Sequence, residues 1–188
     1  MGRWCVVAVA LISLACGGAF EDQQHALDAS DHAVLVEIDD LRSDFPSVSF
    51  DPGAQTWSKI ESMGSWELEY SYETEAFTVT SLVFLNDTVD EADWVLWGIG
   101  LSTSVLASEG VEFVADPALL SMGDSQNCGL LMVEGVTGGN LCMVRDGTTV
   151  IAFVLVGGYF DEPGDLDRVL GPAITASRTY VPQASPLP

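Results

Sequence analysis

Apolar and polar positions alternate most cleanly over residues 66–73, where Trp66, Leu68, Tyr70 and Tyr72 fall on one side and Glu67, Glu69, Ser71 and Glu73 on the other. A period of two predicts a half-buried strand with one wet face. After a short turn at Thr74-Glu75, residues 77–85 are rich in β-branched and aromatic side chains and read as its antiparallel partner. Residues 56–61 are placed on the other side of this pair, with Gly64 in the turn. The period then changes. Thr88-Val89-Asp90-Glu91 has the spacing of a capping box, which predicts a helix from Val89 to about Ser108 that stops at Gly110. Trp94, Trp97, Leu101, Val105 and Leu106 recur at helical spacing and are expected to form its buried face. Gly98 and Gly100 each weaken such a helix by about 1 kcal/mol relative to alanine, so close approach of another element is expected there. The Gly98-x-Gly100 pair sits inside a helix with no strand at the right distance before it, and is not a phosphate loop.

Residues 111–114 begin another strand, and the last third reads as a meander over 127–133, 136–145 and 149–156, with turns at Glu134-Gly135 and Asp146-Gly147. A tight turn at Glu134-Gly135 alone would set Cys128 opposite Leu141 and turn Cys142 to the wrong face. One extra residue at Gly138-Gly139, a β-bulge, restores the register and brings Cys128 opposite Cys142 as a disulfide. That bridge would close a loop of about 15 residues and stabilise by ~3 kcal/mol in the chain-entropy model. Residues 151–156 are apolar on both faces and predict a central strand. A second helix is marked by Leu166, Val169, Leu170 and Ile174, with Pro172 expected to interrupt it at Gly171. The fold class is therefore α+β: a largely antiparallel sheet of about six or seven strands with two main helices packed on it, in the order β-β-β-α-β-β-β-β-α. That element order resembles the general build of PsbP/Mog1-like sandwiches.

The N-terminus has a different character. Arg3 precedes an apolar run from Trp4 to Leu14, then small Ala15, then Cys16 followed by Gly17 and Gly18. This is the order of a secretory signal, and the run is too short to span a bilayer. Residues 1–15 are read as a signal peptide that resembles the lipobox class of bacterial lipoproteins, with Ser13 and Leu14 inverted from the usual order. The resemblance implies lipid attachment at Cys16, a membrane anchor and a place in the cell envelope or periplasm. The rival reading is an ordinary cut after Ala19 that releases a soluble protein. Residues 16–32 are small, polar and acidic and are expected to be a flexible tether. Residues 33–180 form the single domain, and 181–188 a proline-rich disordered tail. Val34-Leu35-Val36 reads either as a short strand or as the start of a short helix.

Charge narrows the partners. The 188 residues carry 28 acids, all after Cys16, against six lysines and arginines, for a formal net charge of −22. Such a surface repels nucleic acid and anionic lipid alike. Catalytic constellations are not recognisable. His25 and His32 lie in the polar N-terminal stretch. Ser125 lacks a nucleophile elbow, and Lys59, the single lysine, lacks the helical Ser-x-x-Lys spacing. Asp161, Asp165 and Asp167 are a weak calcium candidate, because a helix start favours the same acids without an ion. Arg145, beside its turn, reads as a surface ion-pair partner. No cofactor is implied. The first reading of function is a non-enzymatic binding or scaffold module of the envelope, with another envelope protein as its possible partner. The second is a carrier of a small apolar ligand held between the sheet and the Trp94–Leu106 helix, and an enzyme comes third.

Overall fold

A computed structural model describes residues 23–62 and 64–186, excepting the side chains of residues 102–105. Cys16, the residues read as a signal peptide and both expected cleavage positions lie outside the described residues. In chain order the elements are β1 (Gln23–Gln24), α1 (Ala29–His32), α2 (Ile38–Leu41), a 3-10 turn (Pro52–Ala54), β2 (Gln55–Ser62), β3 (Ser65–Glu73) and β4 (Thr78–Leu85). There follow α3 (Val89–Ser108), β5 (Val111–Ala115), β6 (Ser125–Val133), β7 (Val136–Asp146), β8 (Thr149–Val156) and α4 (Asp165–Ser177). The expected α+β order is present from β2 onward. The sheet has eight strands rather than six or seven, because Gln23 and Gln24 pair with Glu61 and Ile60 to add β1 at its edge.

All neighbouring strands are antiparallel, in the order β1-β2-β3-β4-β8-β7-β6-β5. Helix α3 carries the chain from β4 to the far edge, and the second meander works back until β8 closes against β4. Every residue of β8 is buried, as its two-sided apolar sequence requires. Thr88 accepts from the Glu91 amide at 3.2 Å while Glu91 accepts from the Thr88 amide at 3.0 Å, so the capping box forms and starts α3. The β6–β7 turn puts Glu134 and Gly135 both at positive φ, 54° and 78°, the primed geometry that suits sheet twist. The β7–β8 turn lies one residue later than expected: Asp146 pairs with Thr149, leaving Gly147 and Thr148 between them.

The bulge occurs where the cysteine register requires it. Leu131 pairs with Gly139 but Met132 with Thr137, so Gly138 is the extra residue and Cys128 faces Cys142. The two sulfurs are bonded. Glycine at 139 also allows β8 to come close, since a Cβ there would lie 2.2 Å from the Leu155 carbonyl oxygen.

Each face of the sheet has its own core. One is built from Leu68, Tyr70, Tyr72, Val79, Val83, Phe153 and their neighbours, under α4 and residues 34–41. The other is built from Leu82, Phe84, Leu141, Met143, Val150 and Val154, under α3. The tyrosines of β3 hold the irregular N-terminal layer in place. The Ile38 amide donates to the Tyr70 hydroxyl at 3.0 Å, and the Tyr72 hydroxyl donates to the Ser49 carbonyl at 3.1 Å. Burial pushes the Tyr70 hydroxyl pKa well above its ordinary value.

Three local expectations need correction. Residues 23–32 are not a free tether: β1 pairs with β2, and Asp31 is wholly buried. Their polar composition hides one buried carboxylate that has a cation to meet. Val34, Leu35 and Val36 form neither strand nor helix but a buried turn, with the Val36 amide donating to Ser81 Oγ at 3.0 Å. Helix α4 continues through Pro172, because Leu166, Val169, Leu170, Ala173 and Ile174 hold both halves against the core. The described end of the tail has no regular structure, yet the Ser185 carbonyl accepts from the Ala26 amide at 3.0 Å, which lays it beside the first residues of the domain.

Candidate functional site

Helix α3 turns the opposite way from the sequence expectation. Trp94 is 68% exposed, Trp97 59% and Leu101 48%, while Ala92, Ile99 and Leu106 are buried against the sheet with Val95 and Leu96 beside them. Among the five residues expected to form the buried face, Leu106 is inside and Trp94, Trp97 and Leu101 are outside; the Val105 side chain is beyond the described ones. The physical reason is fit. The helix carries apolar residues all round, and the side that can lie close over Leu141, Met143 and Ala152 is the one with Ala92 in it. The indoles stand edge to face, their centroids 5.6 Å apart and their planes at 87°. A Cβ at Gly98 or at Gly100 would meet nothing within 4 Å among the described residues, so the close approach expected at these glycines is not found there. Arg145 anchors the start of the helix, with Nε 2.7 Å from Asp93 and Nη1 3.2 Å from Asp124, in the ion-pair role expected of it.

A second arrangement was not legible in the sequence. Lys59 lies opposite Leu68 in the β2–β3 pairing and shares its core-facing side. Its ammonium lies 2.8 and 2.9 Å from the two carboxylate oxygens of Asp31, and neither side chain is exposed. Asp31 also accepts from the Asp28 amide at 2.6 Å and from the Tyr180 hydroxyl. The Tyr180 hydroxyl pKa is raised far above its ordinary value, first by burial and then by its bond to this carboxylate. The Lys59 ammonium stands 5.4 Å from the centre of the Trp66 ring, which His25 flanks at 4.9 Å; His25 Nε2 is 3.3 Å from Glu61. One buried knot thus ties residues 25–31, the β2–β3 hairpin and the C-terminal end together.

Beside the knot lies an open cleft of about 600 Å³, lined by Trp66, Leu85, Asn86, Asp87, Arg178 and Tyr180 among others. Arg178 does not face it as a lone cation, because Nε and Nη2 hold Asp146 at 2.7 and 3.1 Å. This cleft is at the end of the sheet, not between the sheet and α3, where a carrier pocket was expected.

The calcium candidates are not brought together. Asp167 accepts from the Ser121 amide at 2.7 Å and its hydroxyl at 2.8 Å, and Asp165 accepts from the Glu162 amide at 3.2 Å. Those bonds stitch the 119–121 loop and the start of α4. Among the described residues no group of three or more histidine, cysteine or acidic side chains could hold a metal ion. No protein-family model, curated protein or solved structure matches this chain.

Proposed function

We propose that the protein is an exported lipoprotein, anchored through Cys16, that works as a non-enzymatic binding module with the outer face of α3 as its contact surface. The observation that carries this reading is the exposure of Trp94, Trp97 and Leu101 along one side of a single helix. Large aromatic side chains left in water on a regular element are uncommon in monomeric domains and enriched at contact surfaces. The anchor rests on the signal-like run before Cys16; no helix among the described residues is long and apolar enough to cross a membrane. Two measurements test the proposal together. Cys16→Ala moves the protein from the membrane to the soluble fraction, and an unchanged membrane fraction overturns the anchor. A photo-crosslinking residue at position 97, compared with exposed positions elsewhere, captures a partner in cells; no crosslink from any surface position overturns the binding module.

The runner-up, a carrier of a small apolar ligand, is favoured by the cleft beside Trp66, Leu85 and Tyr180. Native mass spectrometry of protein from its own cells decides it, with a retained lipid or metabolite expected for a carrier and a bare protein mass against it.

A further inference from the structure

We infer that the outer face of α3 is a socket for an amphipathic, basic helix of another protein, with Gly98 as its floor. This rests on the binding-module reading and adds the chemistry of the partner. Trp94, Trp97, Gly98 and Leu101 stand at i, i+3, i+4 and i+7, the four positions that bound the hole into which a side chain of a facing helix inserts. Three of the four corners are large and exposed, and the fourth has no side chain. Glycine inside a helix is costly, and among the described residues a Cβ at Gly98 would meet nothing within 4 Å. Gly100 is equally open but lies outside the four positions, so what bears on the socket is the place of Gly98: the missing side chain at that corner leaves room for a large apolar side chain of the partner to sink between the indoles.

The charge selects the kind of helix. Helix α3 contains Asp90, Glu91 and Asp93 and no lysine, arginine or histidine, and Asp93 is already held by Arg145. Exposed Asp90 lies one turn before the socket, so the complementary surface has an apolar knob followed by lysine or arginine. A second copy of this chain offers acids against acids, at a formal net charge of −22 each. An anionic membrane is repelled for the same reason.

The test uses the mature full-length protein and a synthetic helical leucine/lysine peptide, with a leucine/glutamate peptide of the same pattern as control. Binding is followed by the blue shift of tryptophan emission and by calorimetry. The lysine peptide binds, more weakly as salt is raised, and the glutamate peptide binds at least tenfold more weakly. Trp94→Ala/Trp97→Ala lowers affinity at least tenfold. Gly98→Leu is the sharper variant: it fills the socket and lowers affinity at least tenfold while leaving the melting temperature equal or higher, which a folding defect would not do. Equal binding by Gly98→Leu, or by both peptides, overturns the inference. A blue shift with phosphatidylcholine vesicles but not with the lysine peptide overturns it in favour of a lipid surface. A dimer in sedimentation that Trp94→Ala/Trp97→Ala abolishes overturns it in favour of a second copy. If crosslinks in cells form from another face and not from position 97, a binding module remains but its α3 contact face falls together with this socket, whereas crosslinks from position 97 without lysine-peptide binding overturn the socket alone.

Discussion

Removing one member of the Lys59–Asp31 pair is a severe test of how this domain is held. Both side chains are fully buried, the ammonium touches both carboxylate oxygens at 2.8 and 2.9 Å, and Tyr180 donates to the same carboxylate. Asp31→Leu strands a buried ammonium, which costs about 3–5 kcal/mol, and deprives the Tyr180 hydroxyl of its acceptor at a further ~1 kcal/mol. Domains of this size have about 5–15 kcal/mol in total, so the single variant is close to unfolding at room temperature. The companion variant Asp31→Leu/Lys59→Met removes both charges and replaces them with apolar volume. A buried pair replaced in this way is often neutral or stabilising, so the double variant should lie within ~1 kcal/mol of the parent, or above it once Tyr180→Phe is added. Urea unfolding at pH 7, followed by tryptophan fluorescence with the slope checked for each variant, measures these three and Lys59→Met alone. A cost below ~1 kcal/mol for Asp31→Leu, or a double variant as unstable as the two single changes added together, refutes the buried knot.

Glu69 gives a pH prediction of definite sign. Burial raises its pKa, against a smaller opposing effect from the Ser58 hydroxyl, so the folded state holds the proton more tightly than the unfolded chain does. Its contribution therefore falls as pH rises from the ordinary carboxyl range through the folded value, and Glu69→Gln should be more stable than the parent at pH 7, the difference vanishing well below pH 4. Melting curves at both pH values check this, and an unchanged or lower melting temperature at pH 7 contradicts it. Reducing the Cys128–Cys142 bridge opens a loop with a sequence separation of 14 and should cost about 3 kcal/mol, seen as a lower urea midpoint with reductant. A midpoint indifferent to reductant means the bridge contributes nothing to stability. Deleting Gly138 removes the one unpaired residue, so Thr137 and Gly139 become neighbours opposite Met132 and Leu131 and Cys128 stays opposite Cys142 in an unbroken ladder. Thiol titration of the unfolded deletion variant should then find the same number of free thiols as in the parent, and two additional thiols dismiss the register account.

How much of this molecule was legible follows from which physical constraints are local. Strand periods, the Thr88–Glu91 capping box and the Gly138 bulge depend on neighbours in sequence, or on one pair of cysteines that must meet, and each appears where the residues predict it. The Asp31–Lys59 pair does not, because it joins positions 28 apart through a fold that neither residue encodes. A lone lysine among core-facing positions of a strand was the available signal, and it asks for a buried carboxylate without saying which of 28 acids supplies it.

Helix α3 is a different case, since its period was legible and its orientation was not. Periodicity identifies stripes; which stripe faces inward depends on the distance at which the helix can settle on the sheet. Assigning the heavier stripe to the core follows the rule that large apolar residues seek burial, and it fails here because Trp94 and Trp97 are too large for the place that Ala92 and Ile99 fill. The failure is informative. A domain that buried its tryptophans fully would remove roughly 100 Å² more of each from water, yet this one leaves both largely exposed beside a glycine that lowers the stability of its own helix. Where stability within the chain argues against a residue three times on one face, what that face gains has to come from outside the chain.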